Sequence, residues 1–417
     1  MNRFALLILV VVGLSNHAFA QIDSSLLKHT ETPQQQQKLN MDAVYNRPFL
    51  KLNKLPVALG GYVESNYQYL MTDRVGDGHE FQFRRLSLFV ASSISKRIKF
   101  LSEIEFENDK DEQLEGKPME ISIEYAAIDV EFHPLLNLRS GIIVNPIGSF
   151  NQNHDGPKWE FVDRPIPATQ LLPATFSNAG FGLYGKHFYK KWYWGYELYL
   201  TNGLDNTIID NDLNKTYLPH ANENSAKLST SNSGSPLFTG KIAVRHSAIG
   251  EFGLSYMNGV YNKWMQAGIQ IDHKRTASVV ALDYAGTLNK TKTAITAELA
   301  YVNVQLPANY FEQFGSKQYG GFVDLVQPVY KHRILGWEQA CVNLAVRVEY
   351  VDWNCGTFVG STQNKADDLW SIMPAISFRP TPATVFRVNY RYQKQRDLIG
   401  NPPATTGGVL VGVSTYF

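Results

Sequence analysis

Six ionisable residues crowd the segment 146–178: His154, Asp155, Lys158, Glu160, Asp163 and Arg164. An adjacent His and Asp could move protons in a hydrolase, but neighbours on one backbone rarely aim at each other. Catalysis also needs a nucleophile and an orienting third group within hydrogen-bond reach. The sequence identifies neither, so no catalytic residue and no enzyme is expected. The run Asp210 to Asn214 imitates the first five positions of a calcium loop and then fails, with Lys215 where Gly should stand and Ala221 where Glu should stand. If the stretch between Cys341 and Cys355 is extended, a rise of about 3.3 Å per residue keeps the two sulfurs too far apart to bridge. No metal or cofactor site is expected.

What remains is charge, and its placement depends on the elements that carry it. From Leu55 onward the apolar pattern has period two, with short and long breaks in turn. In 340–350, Val342, Leu344, Val346, Val348 and Tyr350 form one face, while Asn343, Ala345, Arg347 and Glu349 form the other. In 384–393, Phe386, Val388, Tyr390 and Tyr392 oppose Arg387, Asn389, Arg391 and Gln393. Such strands suit a barrel with lipid outside and water inside. Inward parity then collects nine cations, Arg85, Lys99, Arg139, Lys241, Arg245, Arg347, Arg379, Arg387 and Arg391, and nine anions, Glu64, Glu103, Glu105, Glu107, Glu124, Glu197, Asp283, Glu298 and Glu349. The sum has no bias, but Glu103, Glu105 and Glu107 share one strand with Glu124 nearby, whereas Arg347, Arg379, Arg387 and Arg391 gather on the last four. Two readings stay open: opposed walls that impose a transverse field, or charges that pair across neighbouring strands and hydrate the lumen. Trp192, Trp194 and Tyr196 have lipid-facing parity, as in an interfacial aromatic girdle.

The chain of 417 residues divides into a secretory signal over 1–20 ending in Ala18-Phe19-Ala20, a polar periplasmic leader over 21–56, and a barrel over 57–417. No uninterrupted apolar run of about 18 residues follows the signal, which argues against membrane-spanning helices and leaves a barrel open. Aromatic content of 12%, charge of 18% and mean hydropathy of −0.23 suit a wall between lipid and water, and a net charge of +1 argues against nucleic acid as partner. The all-β reading gives sixteen antiparallel strands. Counting 264–272 as a strand would make seventeen, which violates the even number required of single-chain bacterial barrels, so 261–275 is expected to be an outer loop. Turns near 96–97, 133–134, 190–191, 250 and 380–382 then fall on the periplasmic side, and the long stretches 146–178, 203–237, 305–317, 353–366 and 396–406 fall outside. Eight strands are filled by side chains, but sixteen leave an aqueous channel unless a loop obstructs it. The segment 146–178 is the expected constriction loop.

The segments FQFRRLSLFV at 81–90, SGIIVNPIGSFN at 140–151, FVDRPIP at 161–167 and GFGLYG at 180–185 resemble the phosphate-selective porin O and P family. LWSIMPAISFRPTPATVFRVNYRYQKQRD at 369–397 resembles the final hairpin of its uncharacterised porin relatives. The terminal GGVLVGVSTYF, ending on Phe417, resembles the last strand of Gram-negative outer-membrane proteins, which the barrel-assembly machinery reads. These resemblances imply a homotrimeric porin in outer-membrane lipid that passes small hydrophilic solutes, including anions such as phosphate. The family's ladder of Arg and Lys is not matched, because Lys158 and Arg164 here face Asp155, Glu160 and Asp163. An alternative is a surface binding protein whose loop 203–237 meets a partner while the barrel serves as anchor.

Overall fold

The structure, a computed structural model, describes residues 39–51, 57–108, 120–222, 228–230 and 233–417. The expected signal over 1–20 and the leader residues 21–38 and 52–56 lie outside the described residues. Sixteen long strands run antiparallel in chain order. They are β1 (Val57–Thr72), β2 (Val75–Ser93), β3 (Ile98–Glu107), β4 (Glu120–His133), β5 (Leu136–Val144), β6 (Ser177–Tyr189), β7 (Trp192–Thr201) and β8 (Leu237–His246). The second half comprises β9 (Gly250–Val260), β10 (Thr276–Thr287), β11 (Ala294–Val304), β12 (Lys317–Lys331), β13 (Cys341–Asp352), β14 (Asp368–Thr381), β15 (Thr384–Gln395) and β16 (Ala404–Tyr416). Each strand pairs with the next, and β16 pairs with β1 from Thr406↔Thr72 to Tyr416↔Tyr62. The sheet therefore closes without a free edge, as a sheet in lipid must. None of the described helices is long and apolar enough to cross a membrane.

The period-two pattern fixes which side chains face out. On β15, Phe386, Val388 and Tyr390 are exposed, while Val385, Arg387 and Asn389 are buried. Trp192 and Trp194 are exposed on the outer face of β7. The segment 261–275 adds no barrel strand and instead folds into a two-residue hairpin, Met265–Gln266 against Ile269–Gln270. β1 and β2 join through a two-residue turn at Asp73 and Arg74, whose φ values of 51° and 72° give the mirror-image turn that matches strand twist.

The interior is full. Among the described residues, Arg85, Glu103, Glu105, Lys241, Arg347 and Arg387 point inward at mid-height and are each no more than 3% exposed. Three layers fill the space. Near the rim that bears the long connections lies an apolar layer, where Leu171, Leu172 and Phe176 meet Leu204, Ile208 and Leu218 and the inner faces of β10 and β11. At mid-height lies a layer of ions. Near the other rim, where β1 starts and β16 ends, residues 39–49 lie inside the barrel.

Residues 39–49, which fall within the expected leader over 21–56, pack with the barrel in a unit that begins at Leu39. Asn40–Tyr45 forms a short 3-10 helix. The Asn40 amide donates to both carboxylate oxygens of Glu251 at 2.9 Å. Leu39 and Met41 pack with Tyr184 and Ala243, Val44 packs with Leu101, Tyr125 and Ile143, and Leu50–Lys51 pair with Leu59 and Ala58 of β1. The polar composition of the leader concealed a stretch too short to show a period. Gly195 on β7 leaves room for it: a Cβ there would come within 2.5 Å of Leu39 Cδ1 and 2.6 Å of Met41 Sδ. Gly195→Phe should leave the barrel folded and displace residues 39–41. Hydrogen exchange of the 39–47 amides should then quicken roughly tenfold or more, the effect of losing ~1.4 kcal/mol of docking; unchanged exchange would show that the segment does not sit against β7.

Candidate functional site: the filled lumen

The loop 146–178 leaves β5, crosses the lumen and returns through β6. Irregular backbone inside a barrel must find partners for its polar groups, and here the inward side chains of the strands supply them. Gly148 accepts from Lys241 Nζ at 2.7 Å. The Ser149 and Phe150 amides donate to Glu298 at 2.7 and 3.0 Å, the Val162 amide to Asn389 at 2.6 Å, and the Ile166 amide to Glu349 at 2.8 Å. Gly148 has φ +67°, and a Cβ there would stand 2.4 Å from the Glu298 carboxylate, so the crossing needs glycine at this point.

Most of the expected lumen charges are buried, and most of these have a counter-ion in place. Arg139 grips Asp129 through two bonds of 2.8 and 2.9 Å and reaches Tyr199 at 2.9 Å and Glu197 at 3.4 Å. Lys241 pairs with Asp283 at 2.8 Å. Arg347 grips Asp324 through two 2.7 Å bonds, donates to the Asp163 carbonyl at 2.7 Å and stacks over Phe161. Arg379 meets Glu160 at 2.7 Å, and Arg391 and Arg84 converge on Asp163 at 2.6 and 2.8 Å. Arg387 reaches Glu64 at 3.4 Å and donates to the Phe161 carbonyl at 2.6 Å. On the acidic wall, Glu105 meets Arg85 at 3.4 Å and Arg164 at 3.5 Å, and Glu107 binds Arg85. Glu124 accepts from Ser122 at 2.5 Å, and Arg245 is half-buried on β8. Of the two sequence readings, the geometry is that of pairing. Its partners, however, come as often from the crossing loop as from the adjacent strand, so the Arg-rich wall is neutralised by Glu160 and Asp163 and the Glu-rich wall by Arg85, Arg164 and Arg47.

Arg47 was invisible to the strand argument and is the hub of this lattice. Its guanidinium, fully buried, donates to Asp155 at 2.9 and 2.6 Å, forms an ion pair with Glu103 at 2.7 Å, and lies 4.1 Å over the Phe89 ring. Asp155 also meets Lys158 at 3.1 Å and accepts from the Tyr416 hydroxyl at 2.6 Å. Burial alone would raise the Asp155 carboxyl, but Arg47 and Lys158 outweigh it and hold it well below the usual carboxylate range. His154 does not face Asp155: its Nδ1 meets the Asn151 carbonyl at 2.9 Å and its Nε2 stands 3.8 Å from Glu103. The two neighbours are packed apart, as the backbone argument expects.

Three further lattice members, Arg84, Asp129 and Asp324, are absent from the expected inward set, the first two because of bulges. Register shifts between Glu64 and Ser65 and between Glu103 and Ile104 mark bulges that turn both Arg84 and Arg85, and both Glu124 and Tyr125, inward. The second bulge also flips the parity beyond it and so brings Asp129 in. Asp324, by contrast, obeys the plain alternation of β12 and was legible. In the 210–214 run, Asn211 donates to the Thr207 and Lys215 carbonyls at 2.9 Å. Arg347→Met should strand a buried Asp324 and lower stability against denaturant by about 3–5 kcal/mol, whereas adding Asp324→Leu should recover most of that loss. Equal stability of the single variant and the parent would show that the pair is hydrated.

No family model matches the sequence. A stretch of 151 residues is 32% identical to an uncharacterised protein of Aquifex aeolicus (strain VF5), covering 36% of this chain and 33% of that protein, so the match spans about a third of the relative's own length. Among solved structures, the outer-membrane channel DcaP of Acinetobacter baumannii superposes with a TM-score of 0.55 at 12% identity over 87% of this chain and 97% of that one. The anion-selective porin of Comamonas acidovorans gives 0.53 at 12% over 87% and 99%. OmpF of Salmonella typhi, solved with daunomycin, gives 0.53 at 11% over 88% and 100%. At such identities the likeness is one of architecture, and the chain has the fold of outer-membrane porins.

Proposed function

We propose that this protein is an outer-membrane porin that passes small hydrophilic solutes by diffusion and that residues 39–49, together with loop 146–178, hold it closed in the conformation described. The observation that carries this reading is the nature of the filling. A barrel that served only as an anchor could line its interior with apolar side chains, yet the mid-height wall carries Glu64, Arg139, Lys241, Glu298, Arg347 and Arg387, groups suited to water. Residues 39–49 are held by small apolar contacts of Leu39, Met41 and Val44 and by ion pairs and backbone amides on carboxylates, and water can replace the polar contacts when the segment withdraws.

Selectivity in this reading is weak. The inward cations are matched by inward or loop carboxylates, which supports no anion ladder and leaves phosphate as one solute among many. Assembly as a homotrimer, with lipid along the exposed Phe252, Leu254 and Val388 faces, follows the porin likeness of the fold. Leu204, Ile208, Ile209, Leu218 and Ala221 of loop 203–237 belong to the apolar layer at the rim of the long connections, and Leu213 and Leu228 are exposed. In planar bilayers the purified protein should show rare, small current steps in potassium chloride, and a variant lacking residues 39–49 should show steps several-fold larger and more frequent. Absence of discrete steps in both would overturn the porin reading.

A further inference from the structure

The pocket around Arg47 is built for one functional group. Asp155 offers both oxygens side by side, Glu103 offers a third from another direction, and Phe89 supplies an aromatic face 4.1 Å away. All four side chains are buried, with Arg47 and Asp155 reaching 4% and 0% exposure. The carboxylates are oriented without help from Arg47: Tyr416 and Lys158 hold Asp155, and the Ser87 hydroxyl donates to Glu103 at 2.5 Å. Only the occupant belongs to the detachable segment. The walls come from β2, β3 and β16 and from loop 146–178.

We infer that Asp155, Glu103 and Phe89 form a guanidinium-binding site on the solute path, that Arg47 is its resident occupant, and that guanidinium-bearing solutes exchange with Arg47 to release residues 39–49. This rests on the porin reading for its consequence, and it names the solute class that such a pore would admit. The chemistry is specific. A planar fork can satisfy the two Asp155 oxygens at once while lying flat on a ring, which an ammonium cannot do. Lys158 and His154 remain beside the vacated carboxylates, 3.1 Å from Asp155 and 3.8 Å from Glu103, so bare positive charge gains little there. Shape decides the occupant.

The site is tested by chemical rescue in the full chain. Arg47→Ala should lower the thermal unfolding temperature of the barrel, and guanidinium chloride in the low millimolar range should restore it saturably. Methylammonium at equal ionic strength should need at least roughly tenfold more, and adding Asp155→Asn, which removes the paired oxygens, should remove the difference. Equal rescue by the two cations, or none, would overturn the proposal. If Arg47→Ala does not fold, the parent protein serves: guanidinium should speed hydrogen exchange of the 39–47 amides and methylammonium should not, and equal effects would again overturn it. Currents in planar bilayers separate the two claims. Silence of every variant would reject the porin reading while the rescue still decides the site.

Discussion

Inward side chains of a sixteen-stranded barrel cannot meet at the axis, and the rest of this structure follows from that constraint. The space must hold water or more chain. Here it holds chain, and once water is excluded each inward carboxylate or guanidinium must find a partner or carry the full cost of an isolated buried charge. The path of loop 146–178 obeys this requirement: it passes Glu298, Glu349 and Asn389 where its amides need acceptors, and places Asp163 where Arg84 and Arg391 converge. The lattice at mid-height is the joint solution for wall and loop.

The layers above and below differ in what would release them. The upper one is apolar, with Leu171, Phe176, Ile208 and Val302 removed from water, and moving it would expose that area at a cost of roughly 25 cal/mol per Å². The lower one is joined to the wall by Asn40 on Glu251, Tyr45 on Asp129 and Arg47 on Asp155 and Glu103. Water can satisfy those groups on both sides after separation. The proposed opening therefore centres on the N-terminal segment, whose apolar contacts are fewer than those of the layer at the rim of the long connections.

The architecture was legible because period two is a strong, repeated signal and because closure demands an even count, which disposed of 264–272 as a strand. The inward charges of β13 and β15 were legible for the same reason. Bulges broke that logic: no residue pattern announced that Arg84 or Glu124 would be the extra residue, and Asp129 was lost with the parity. Residues 39–49 were opaque for a different reason. Their hold is made of single contacts to strands far away in sequence, such as Asn40 to Glu251, and such contacts leave no local period. The filling of the lumen, and with it Arg47, could come only from the folded chain.

Closure of the lumen depends on residues 39–49 lying inside the barrel. Met41→Cys and Gly195→Cys, in a background of Cys341→Ser and Cys355→Ser, would bring two sulfurs together only if they do, since a Cβ at Gly195 falls 2.6 Å from Met41 Sδ. Mild oxidation is expected to form the 41–195 crosslink in the folded barrel and to abolish the residual current, which reductant should restore. A folded barrel in which these cysteines fail to crosslink would contradict the account.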